Sequence, residues 1–218
     1  MISKRRPESS RKSDYSLKDY INSKVIYTND ELISSNGYSI MSKYEDKIMK
    51  ESAKVLCQNG GSVLNVGFGM GIIDSYIRDL NPSKHTIVEI HPDVVNKAKE
   101  MGFEENIRHI DWVDFVDECK SNGTKFDAVY FDTFSFDDPE WNLFTIFGID
   151  SILNEGGIYC YFNGEAARVQ NIYQLMSNKG WQPHAIEIPK EEINDSSINE
   201  DHRLYQKENY DLIWYIKT

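Results

Sequence analysis

The sequence predicts an α/β protein whose mostly parallel β-sheet carries helices on both faces. From residue 63 onward, short apolar runs rich in β-branched and aromatic residues alternate with segments in which apolar residues recur at helical spacing. Such alternation is typical of a parallel sheet that is covered on both sides. The last two apolar runs are separated by a long polar segment, which indicates a closing hairpin and hence one antiparallel strand. A chain of 218 residues suits one domain with such a core.

The pattern predicts the elements in order. Strands are expected at 63–66, 86–90, 107–110, 126–131, 158–162, 182–188 and 212–216. Helices are expected from Met70 to the stop at Asn81–Pro82 and over 92–101, 112–119, 140–153 and 165–177, with a turn at 155–157. This arrangement resembles the seven-stranded, Rossmann-like sheet of class I methyltransferases. Residues 14–58 are expected to form an N-terminal helical cap over the strand ends.

The charge distribution limits the possible partners. The formal net charge of −11 argues against a broad nucleic-acid surface and suits a small cationic substrate. Residues 1–13 are predicted to be a flexible basic tail, and 190–201 a mobile acidic loop. No apolar run approaches the roughly 18 residues of a membrane span, and no secretion signal is present, so a cytoplasmic protein is expected. Widely spaced cysteines and scattered histidines predict neither a disulfide nor a metal site.

A glycine-rich turn follows the first strand and is the first candidate binding site. It consists of Gly67, Phe68, Gly69, Met70 and Gly71, and a helix begins with Ile72. Glycine lets the backbone approach a ligand closely, and the helix N-terminus offers free N–H groups. Glu89 follows at the end of the next strand, where a carboxylate can hold both hydroxyl groups of a ribose.

The turn by itself also suits a nicotinamide dinucleotide. S-adenosylmethionine is favoured because the turn lacks the G-x-G-x-x-G/A ending, with Ile73 two positions beyond the last glycine. Asp111 and Trp112 follow the third strand, where an adenine ring would lie. The indole can pack on that ring, and the carboxylate can accept a hydrogen bond from its amino group. Trp112 could instead be a core residue at the start of a helix.

Further motifs surround the turn. They are the segment 40–49 before the first strand, the turn itself at 64–74, Lys84-His85, His91-Pro92-Asp93-Val94, Asp111-Trp112, the segment 130–135 and Phe162-Asn163-Gly164. Together they resemble the guanidinoacetate methyltransferase and arginine delta-N-methyltransferase family over residues 41–164. The resemblance implies that 59–218 is an S-adenosylmethionine-dependent methyltransferase domain. Two features depart from it: Tyr44 stands where the family usually has Trp, and no proline-rich ending follows Ile188.

The resemblance also implies a set of site residues. The implied cofactor is S-adenosyl-L-methionine, flanked by two methionines that map onto Met41 and Met49. An aromatic residue of the N-terminal arm, Tyr20 or alternatively Tyr15, would close over the site. The other implied contacts are Gly67, Phe68, Gly69, Met70, Gly71, Ile72, Glu89, Ile90, His91, Asp111, Trp112 and Asp132. The implied substrate contacts are Glu45, Asp132, Asn163, Gly164 and Glu165. Of these, Glu45 and Asp132 would lie on either side of a guanidino group.

The two carboxylates also make chemical sense by themselves. A guanidinium group holds its proton far above neutral pH, and its lone pairs are delocalised. Bidentate hydrogen bonds from carboxylates fix this group and localise its charge away from the attacking nitrogen. Asp132, at the end of the fourth strand, is the predicted proton acceptor, and Glu45 is the predicted second clamp. Glu45 could instead be an exposed helix acid, and Asp132 a strand-end cap.

The leading hypothesis is a guanidino N-methyltransferase that acts on arginine, an arginine-like small molecule, guanidinoacetate or protein arginine. One alternative is methylation of another amine or of a hydroxyl group in specialised metabolism. Two further alternatives are a non-enzymatic interaction module with this fold and a nicotinamide oxidoreductase. No metal, nucleic acid or membrane partner is expected, and the sequence does not predict the oligomeric state.

Overall fold

In the computed structural model, the described residues are 17–133, 144–163, 166–193 and 209–218. The chain begins there with a short helix, α1 (Leu17–Asn22), and a small antiparallel sheet follows. Its strands are β1 (Val25–Tyr27), β2 (Glu31–Ser34) and β3 (Ser39–Ser42), in that order. A 3₁₀ turn (Lys43–Glu45) then leads into helix α2 (Asp46–Cys57). The segment predicted as a helical cap therefore also contains a sheet, which the sequence analysis did not anticipate.

The main sheet has seven strands, as predicted. They are β4 (Ser62–Val66), β5 (Lys84–Glu89), β6 (Ile107–His109), β7 (Phe126–Phe131), β8 (Leu153–Tyr161), β9 (Gln182–Pro189) and β10 (Asn209–Ile216). Their order across the sheet is β6-β5-β4-β7-β8-β10-β9. Neighbours from β6 to β8 pair in parallel, whereas β10 pairs antiparallel with both β8 and β9. The predicted fold class and its antiparallel strand in the closing hairpin are confirmed.

The helices between the strands start and stop where local chemistry favours it. They are α3 (Ile72–Leu80), α4 (Pro92–Glu100), α5 (Trp112–Asn122), a π-helical turn (Phe144–Gly148) that continues into α6 (Ile149–Ile152), α7 (Ala166–Asn178) and α8 (Lys190–Ile193). Helix α4 begins with Pro92, whose fixed φ suits the first helical turn. Helix α5 ends at Gly123, whose φ of 74° is the left-handed conformation of a glycine cap.

Three local predictions differ from the structure. Of the helix predicted over 140–153, residues 144–152 are helical and Leu153 is already extended and begins β8, while 140–143 lie outside the described residues. The turn predicted at 155–157 lies inside β8, where the register with β7 shifts between Phe126 and Ala128. The predicted acidic loop begins as helix α8, held by the buried Ile193. The rest of that loop and the predicted tail 1–13 lie outside the described residues.

The core lies between the sheet and the helices on its two faces. Central strands are apolar on both sides, and Val63, Val129 and Tyr159 are fully buried. Because β4 to β8 run parallel, the residues that follow them meet at one edge of the sheet, where ligands bind in open α/β folds. Within the described ranges, no helix is long and apolar enough to cross a membrane.

Candidate functional site

The glycine turn leaves β4 in backbone conformations that favour glycine. The φ angles of Gly67, Gly69 and Gly71 are 95°, 56° and 71°. A Cβ atom on Gly67 would lie 2.0 Å from the backbone oxygen of Asp132, so this turn and the end of β7 touch. Gly71 precedes α3 and gives the helix no side-chain cap, which leaves the first N–H groups of the helix for other acceptors.

Glu89 is buried at the end of β5 and holds the turn against that strand. Its carboxylate accepts hydrogen bonds from the backbone N–H groups of Phe68 at 3.0 Å, Ile90 at 2.8 Å and His91 at 2.8 Å. Burial raises the pKa of the Glu89 carboxyl above its ordinary value, and these N–H groups oppose that shift. A carboxylate has about four acceptor positions, so it can also accept from a ligand hydroxyl.

A second polar network lies beneath the turn. Asn65 donates from Nδ2 to the carbonyl oxygen of Gly67 at 2.8 Å and to Oδ2 of Asp74 at 2.9 Å. The other carboxylate oxygen of Asp74 lies 2.9 Å from Nε2 of His85. Burial raises the pKa of the Asp74 carboxyl, whereas His85 and then Asn65 lower it. Three buried polar groups on β4, α3 and β5 thus support one carbonyl of the turn.

The N-terminal sheet packs directly on the glycine turn. The Tyr27 hydroxyl donates to the carbonyl oxygen of Gly69 at 3.0 Å, and the thioether of Met41 accepts from the N–H of Met70 at 3.2 Å. Burial, with the Glu89 charge as the next cause, raises the pKa of Tyr27, so its hydroxyl stays a donor. Met41 therefore packs against the turn, and its contact with S-adenosylmethionine stays a prediction.

Helix α1 is attached to the residues after β5. Nδ1 of His91 accepts from the N–H of Asp93 at 3.2 Å, so the ring proton is on Nε2, which donates to the carbonyl oxygen of Ser23 at 3.1 Å. The ring of Tyr20 lies 4.7 Å from that of His91 and packs beside Ile90. The predicted contacts Tyr20, Ile90 and His91 are thus brought together.

Asp111 and Trp112 follow β6 at the same edge. Asp111 caps α5 by accepting the N–H of Val113 at 2.8 Å. The half-buried indole of Trp112 lies edge-on to the rings of Phe131 and Phe144, with centroids 5.8 and 5.3 Å away. Trp112 therefore combines core packing with a partly accessible ring.

We call the residues 67–72, 89–91 and 111–112 the glycine-turn half of the site.

Glu45 is buried, which excludes the alternative of an exposed helix acid. It is 3% exposed at the end of the 3₁₀ turn. Its carboxylate accepts the N–H of Ser42 at 3.3 Å, while the Ser42 hydroxyl accepts the N–H of Tyr44. This reciprocal capping fixes the carboxylate immediately before α2.

The charges of Asp132 and Glu45 both influence the pKa of one buried hydroxyl group, that of Tyr210. Asp132 follows β7, is half-buried, and donates its backbone N–H to the oxygen of Val66 at 2.9 Å. Burial raises the pKa of Tyr210 well above its ordinary value, and the charges of Asp132 and Glu45 raise it further. The two predicted carboxylates, which are far apart in the sequence, are thus electrostatic neighbours of the same group.

Of the remaining predicted site residues, Asn163 and Met49 lie within the described chain. Asn163, after β8, donates its backbone N–H to the Tyr210 hydroxyl at 3.0 Å. Met49 is fully buried, and its sulfur accepts from the Tyr130 hydroxyl at 3.6 Å. Gly164 and Glu165 lie outside the described residues. We call Glu45, Asp132, Asn163 and Tyr210 the carboxylate half of the site.

Several residues of this site were missed by the sequence analysis, although some carried a signal. Asn65 and Asp74 are polar residues in otherwise apolar strand and helix patterns, which indicates a buried network. Ser42-Lys43-Tyr44-Glu45 is a capping-box sequence, which predicts that Glu45 folds back on the backbone. Tyr27 and Tyr210 had no such signal, because their contacts are made over 42 and 47 residues of sequence.

Comparison with protein families gives one match that covers most of the chain. Residues 15–179 match the family model described as Guanidinoacetate N-methyltransferase. Among curated proteins, Protein arginine N-methyltransferase 2 of Aspergillus oryzae is 33% identical over 182 residues, which cover 80% of this chain and 44% of that protein. The protein of the same name from Candida glabrata is 39% identical over 160 residues, which cover 68% and 38%. This chain thus spans less than half the length of these relatives.

Solved structures match the fold at low sequence identity. The O-methyltransferase TomG from Streptomyces achromogenes, solved in complex with SAM, superposes with a TM-score of 0.54 and 14% identity. The match covers 82% of this chain and 81% of that one. At this identity the likeness establishes the shared fold.

Proposed function

The chain belongs to the guanidinoacetate N-methyltransferase family, and we propose that it is an S-adenosylmethionine-dependent N-methyltransferase that acts on a guanidino group. The substrates that we propose are arginine, an arginine-like small molecule or guanidinoacetate. The observation that carries this proposal is the placement of two carboxylate residues: Glu45 is buried just before α2, and Asp132 follows β7 with its backbone in contact with the glycine turn. A pair of carboxylates is a natural hydrogen-bonding partner for a planar cation.

Features of the glycine-turn half support the proposal that S-adenosylmethionine is the cofactor. A Cβ atom on Gly67 or Gly69 would collide with Asp132 or Met41, so only glycine allows the turn to take this tight path beside the end of β7. We propose that Glu89 accepts from the ribose hydroxyl groups, and that Trp112 and Asp111 hold the adenine. Met41 and Tyr20, already packed on the turn and on His91, would enclose the ligand from the N-terminal side.

When bound, S-adenosylmethionine supplies an electrophilic methyl group. The residues of the chain then have two tasks. Asp132 and Glu45 accept hydrogen bonds from the guanidinium nitrogens and fix their plane, which keeps one nitrogen aligned for attack. Asp132 takes up the proton that this nitrogen loses, since Asp132 lies at the end of β7, directly beside Gly67 of the turn. The enclosed surroundings of Glu45 strengthen these contacts.

Protein arginine is the second candidate substrate. It is favoured by the names of the relatives, which are protein arginine N-methyltransferases. We also propose that 14–58 acts as a cap on a methyltransferase domain formed by 59–218. The contacts of Tyr27 and Met41 with the turn support this division. The unpaired thiols of Cys57, Cys119 and Cys160 support a reducing location such as the cytoplasm.

The proposed function can be tested by mass spectrometry. The purified chain is incubated with S-adenosylmethionine and, separately, with arginine, guanidinoacetate, an arginine-containing peptide, and simple amines and alcohols. We expect a gain of one methyl group on a guanidino nitrogen, located by fragmentation. Methylation of only a simple amine or alcohol, or no methylation despite calorimetric binding of S-adenosylmethionine, would contradict the guanidino assignment.

Two variants, one in the 3₁₀ turn and one in helix α2, test whether the methylation measured in this assay depends on the proposed site. Glu45→Gln removes the charge of the proposed clamp, and we expect it to abolish most of the guanidino methylation. Glu51→Gln is the matched control, because Glu51 lies on the adjoining helix α2 and pairs with Lys54 and Lys47. It should leave the rate within about twofold, as a surface ion pair contributes little. Equal rates in the two variants would remove Glu45 from the site.

A further inference from the structure

The N-terminal sheet turns one row of side chains toward the glycine turn. Tyr27 on β1 pairs with Leu32 on β2, and Leu32 pairs with Met41 on β3, so the three residues lie side by side across the sheet. Residues that are directly opposite each other in neighbouring strands point to the same face. Leu32 is fully buried and Met41 is 6% exposed, and both belong to the main core. The buried face of this sheet is therefore the one that meets the turn.

Two members of this row hold opposite ends of one peptide unit, the peptide that joins Gly69 to Met70. Its carbonyl oxygen accepts from the Tyr27 hydroxyl at 3.0 Å. Its N–H donates to the Met41 sulfur at 3.2 Å. In a planar trans peptide the carbonyl and the N–H point in opposite directions, so two partners of this kind fix the direction of the whole unit. Burial raises the pKa of Tyr27, and its hydroxyl therefore stays protonated and can donate.

The direction of this peptide is not fixed by the turn itself. Gly69 has a φ of 56°, and a glycine leaves the rotation of the following peptide with little steric cost. Rotation would exchange the carbonyl and the N–H, and so change whether the turn offers a donor or an acceptor to a ligand. Neighbouring N–H groups are held within the main domain: that of Phe68 by Glu89 at 3.0 Å, and that of Gly71 by the Phe68 oxygen at 2.8 Å. The Gly69–Met70 peptide is thus the part of the turn that the N-terminal sheet orients.

We propose that Tyr27 is a positioning residue of the cofactor site, which together with Met41 fixes the Gly69–Met70 peptide and so prepares the turn for S-adenosylmethionine. The inference rests on the proposed function, because it deepens the assignment of the turn to this cofactor. A backbone that already has its binding orientation does not have to be ordered when the ligand arrives, and this preorganisation increases affinity. The N-terminal sheet thereby contributes to cofactor binding through the geometry of the turn.

The test compares two tyrosines whose hydroxyl groups connect the cap to the main domain. Tyr27→Phe removes the donor and keeps the ring. Tyr76→Phe is the matched control, because the Tyr76 hydroxyl on α3 donates to the carboxylate of Asp46 in the cap at 2.9 Å, away from the Gly69–Met70 peptide. For Tyr27→Phe we expect the dissociation constant of S-adenosylmethionine, measured by calorimetry, to rise about fivefold, as for one neutral hydrogen bond. Tyr76→Phe should leave this constant unchanged.

The kinetic constants of Tyr27→Phe should divide between the two substrates. KM for S-adenosylmethionine should rise about fivefold, because the turn is less well ordered before binding. At saturating cofactor, kcat and KM for the guanidino substrate should stay within about twofold of the wild type, since the carboxylate half is unchanged. A fall in kcat with an unchanged KM for S-adenosylmethionine would contradict the positioning role.

A second measurement depends neither on turnover nor on the cofactor. Hydrogen exchange of the Met70 amide, followed by NMR, reports whether this N–H is still held by Met41. In Tyr27→Phe we expect its exchange to become about fivefold faster. The Phe68 amide, which Glu89 holds, should exchange at the wild-type rate. A general loosening of the turn would accelerate both amides, so the pair distinguishes a positioning role from a merely structural one.

The outcomes separate this inference from the proposed function. If the wild-type chain binds no S-adenosylmethionine, the proposed function fails, and the cofactor role of Tyr27 fails with it. If the wild type binds but Tyr27→Phe and Tyr76→Phe have equal affinity and equal Met70 exchange, only the positioning role is overturned. Equal acceleration of the Met70 and Phe68 amides also overturns it. If Tyr27→Phe does not fold, 3-fluorotyrosine at position 27, a stronger donor of similar size, decides: slower Met70 exchange supports the role, and unchanged exchange overturns it.

Discussion

The two halves of the site are assembled in different ways. The glycine-turn half comes from three successive strand–helix units, so that residues 67–72, 89–91 and 111–112 each follow a neighbouring parallel strand. The carboxylate half comes from four distant parts of the chain, which contribute Glu45, Asp132, Asn163 and Tyr210. Backbone groups dominate the first half, and side chains dominate the second.

This difference has a consequence for how each half responds to change. In the glycine-turn half, Glu89 alone holds three backbone N–H groups, and the Asn65–Asp74–His85 network supports the carbonyl of Gly67. A substitution there changes the shape of the backbone. In the carboxylate half, a substitution of Asp132 or Glu45 changes charge and proton transfer first. The two halves touch at Gly67 and Asp132, where loss of one affects the other.

The largest expected effect is on the rate, from a change in the carboxylate half. Asp132→Asn removes the proposed proton acceptor, and we expect kcat to fall by about 10³-fold. The affinity for S-adenosylmethionine, measured by calorimetry, should change by less than about threefold. Asp117→Asn, which alters an exposed acid on α5, is the control and should keep the wild-type rate. A normal rate in Asp132→Asn would contradict the mechanism even with the fold correct.

The second-largest expected effect is on the free energy of unfolding. It comes from a change at the place where the two halves of the site touch. Gly67→Ala places a Cβ atom 2.0 Å from the oxygen of Asp132 at a φ of 95°. We expect the free energy of unfolding in urea to decrease by about 3 kcal/mol or more. Gly37→Ala is the matched control, because φ is 83° there and no atom lies within 4 Å of the added Cβ. It should cost only about 1–2 kcal/mol. Equal losses of unfolding free energy in the two variants would mean that the close approach of the glycine turn to the end of β7 does not affect stability.

A third change should affect cofactor binding with little effect on substrate binding. Glu89→Ala removes a charged acceptor worth about 2–3 kcal/mol, which corresponds to roughly 30- to 150-fold weaker binding of S-adenosylmethionine. Calorimetry well below the melting temperature of the variant measures this loss. Glu100→Ala, at the exposed end of α4, serves as the control. An unchanged dissociation constant in Glu89→Ala would remove Glu89 from the binding site.

The smallest effect concerns the pH dependence of stability. Burial raises the pKa of the Glu89 carboxyl above its ordinary value of 4.5 in the folded protein. The folded state therefore holds this proton to higher pH than the unfolded chain does, so the contribution of Glu89 to stability falls as pH rises through that window. We expect the free energy of unfolding to decline less between pH 4 and 7 in Glu89→Gln than in the wild type. Identical slopes in urea titrations would show that Glu89 does not titrate in this way.

The sequence by itself determined the main sheet and the glycine-turn half. Strand and helix periods, the glycines and the acid at the end of the next strand are local signals, because each residue acts within its own strand–helix unit. Parallel pairing then brings consecutive units side by side, so their ends meet without further information. Glu89, Asp111 and Trp112 could be placed at this edge for that reason.

Only the tertiary structure decided the environment of the side chains in the carboxylate half. The sequence allowed either an exposed or a buried Glu45, and only the structure shows that its side chain is buried. The N-terminal sheet was not predicted, since its strands are only three or four residues long and carry little periodic signal. Tyr210 reaches Asn163 because β10 enters the sheet between β8 and β9. That pairing depends on contacts between distant segments, which local patterns do not encode.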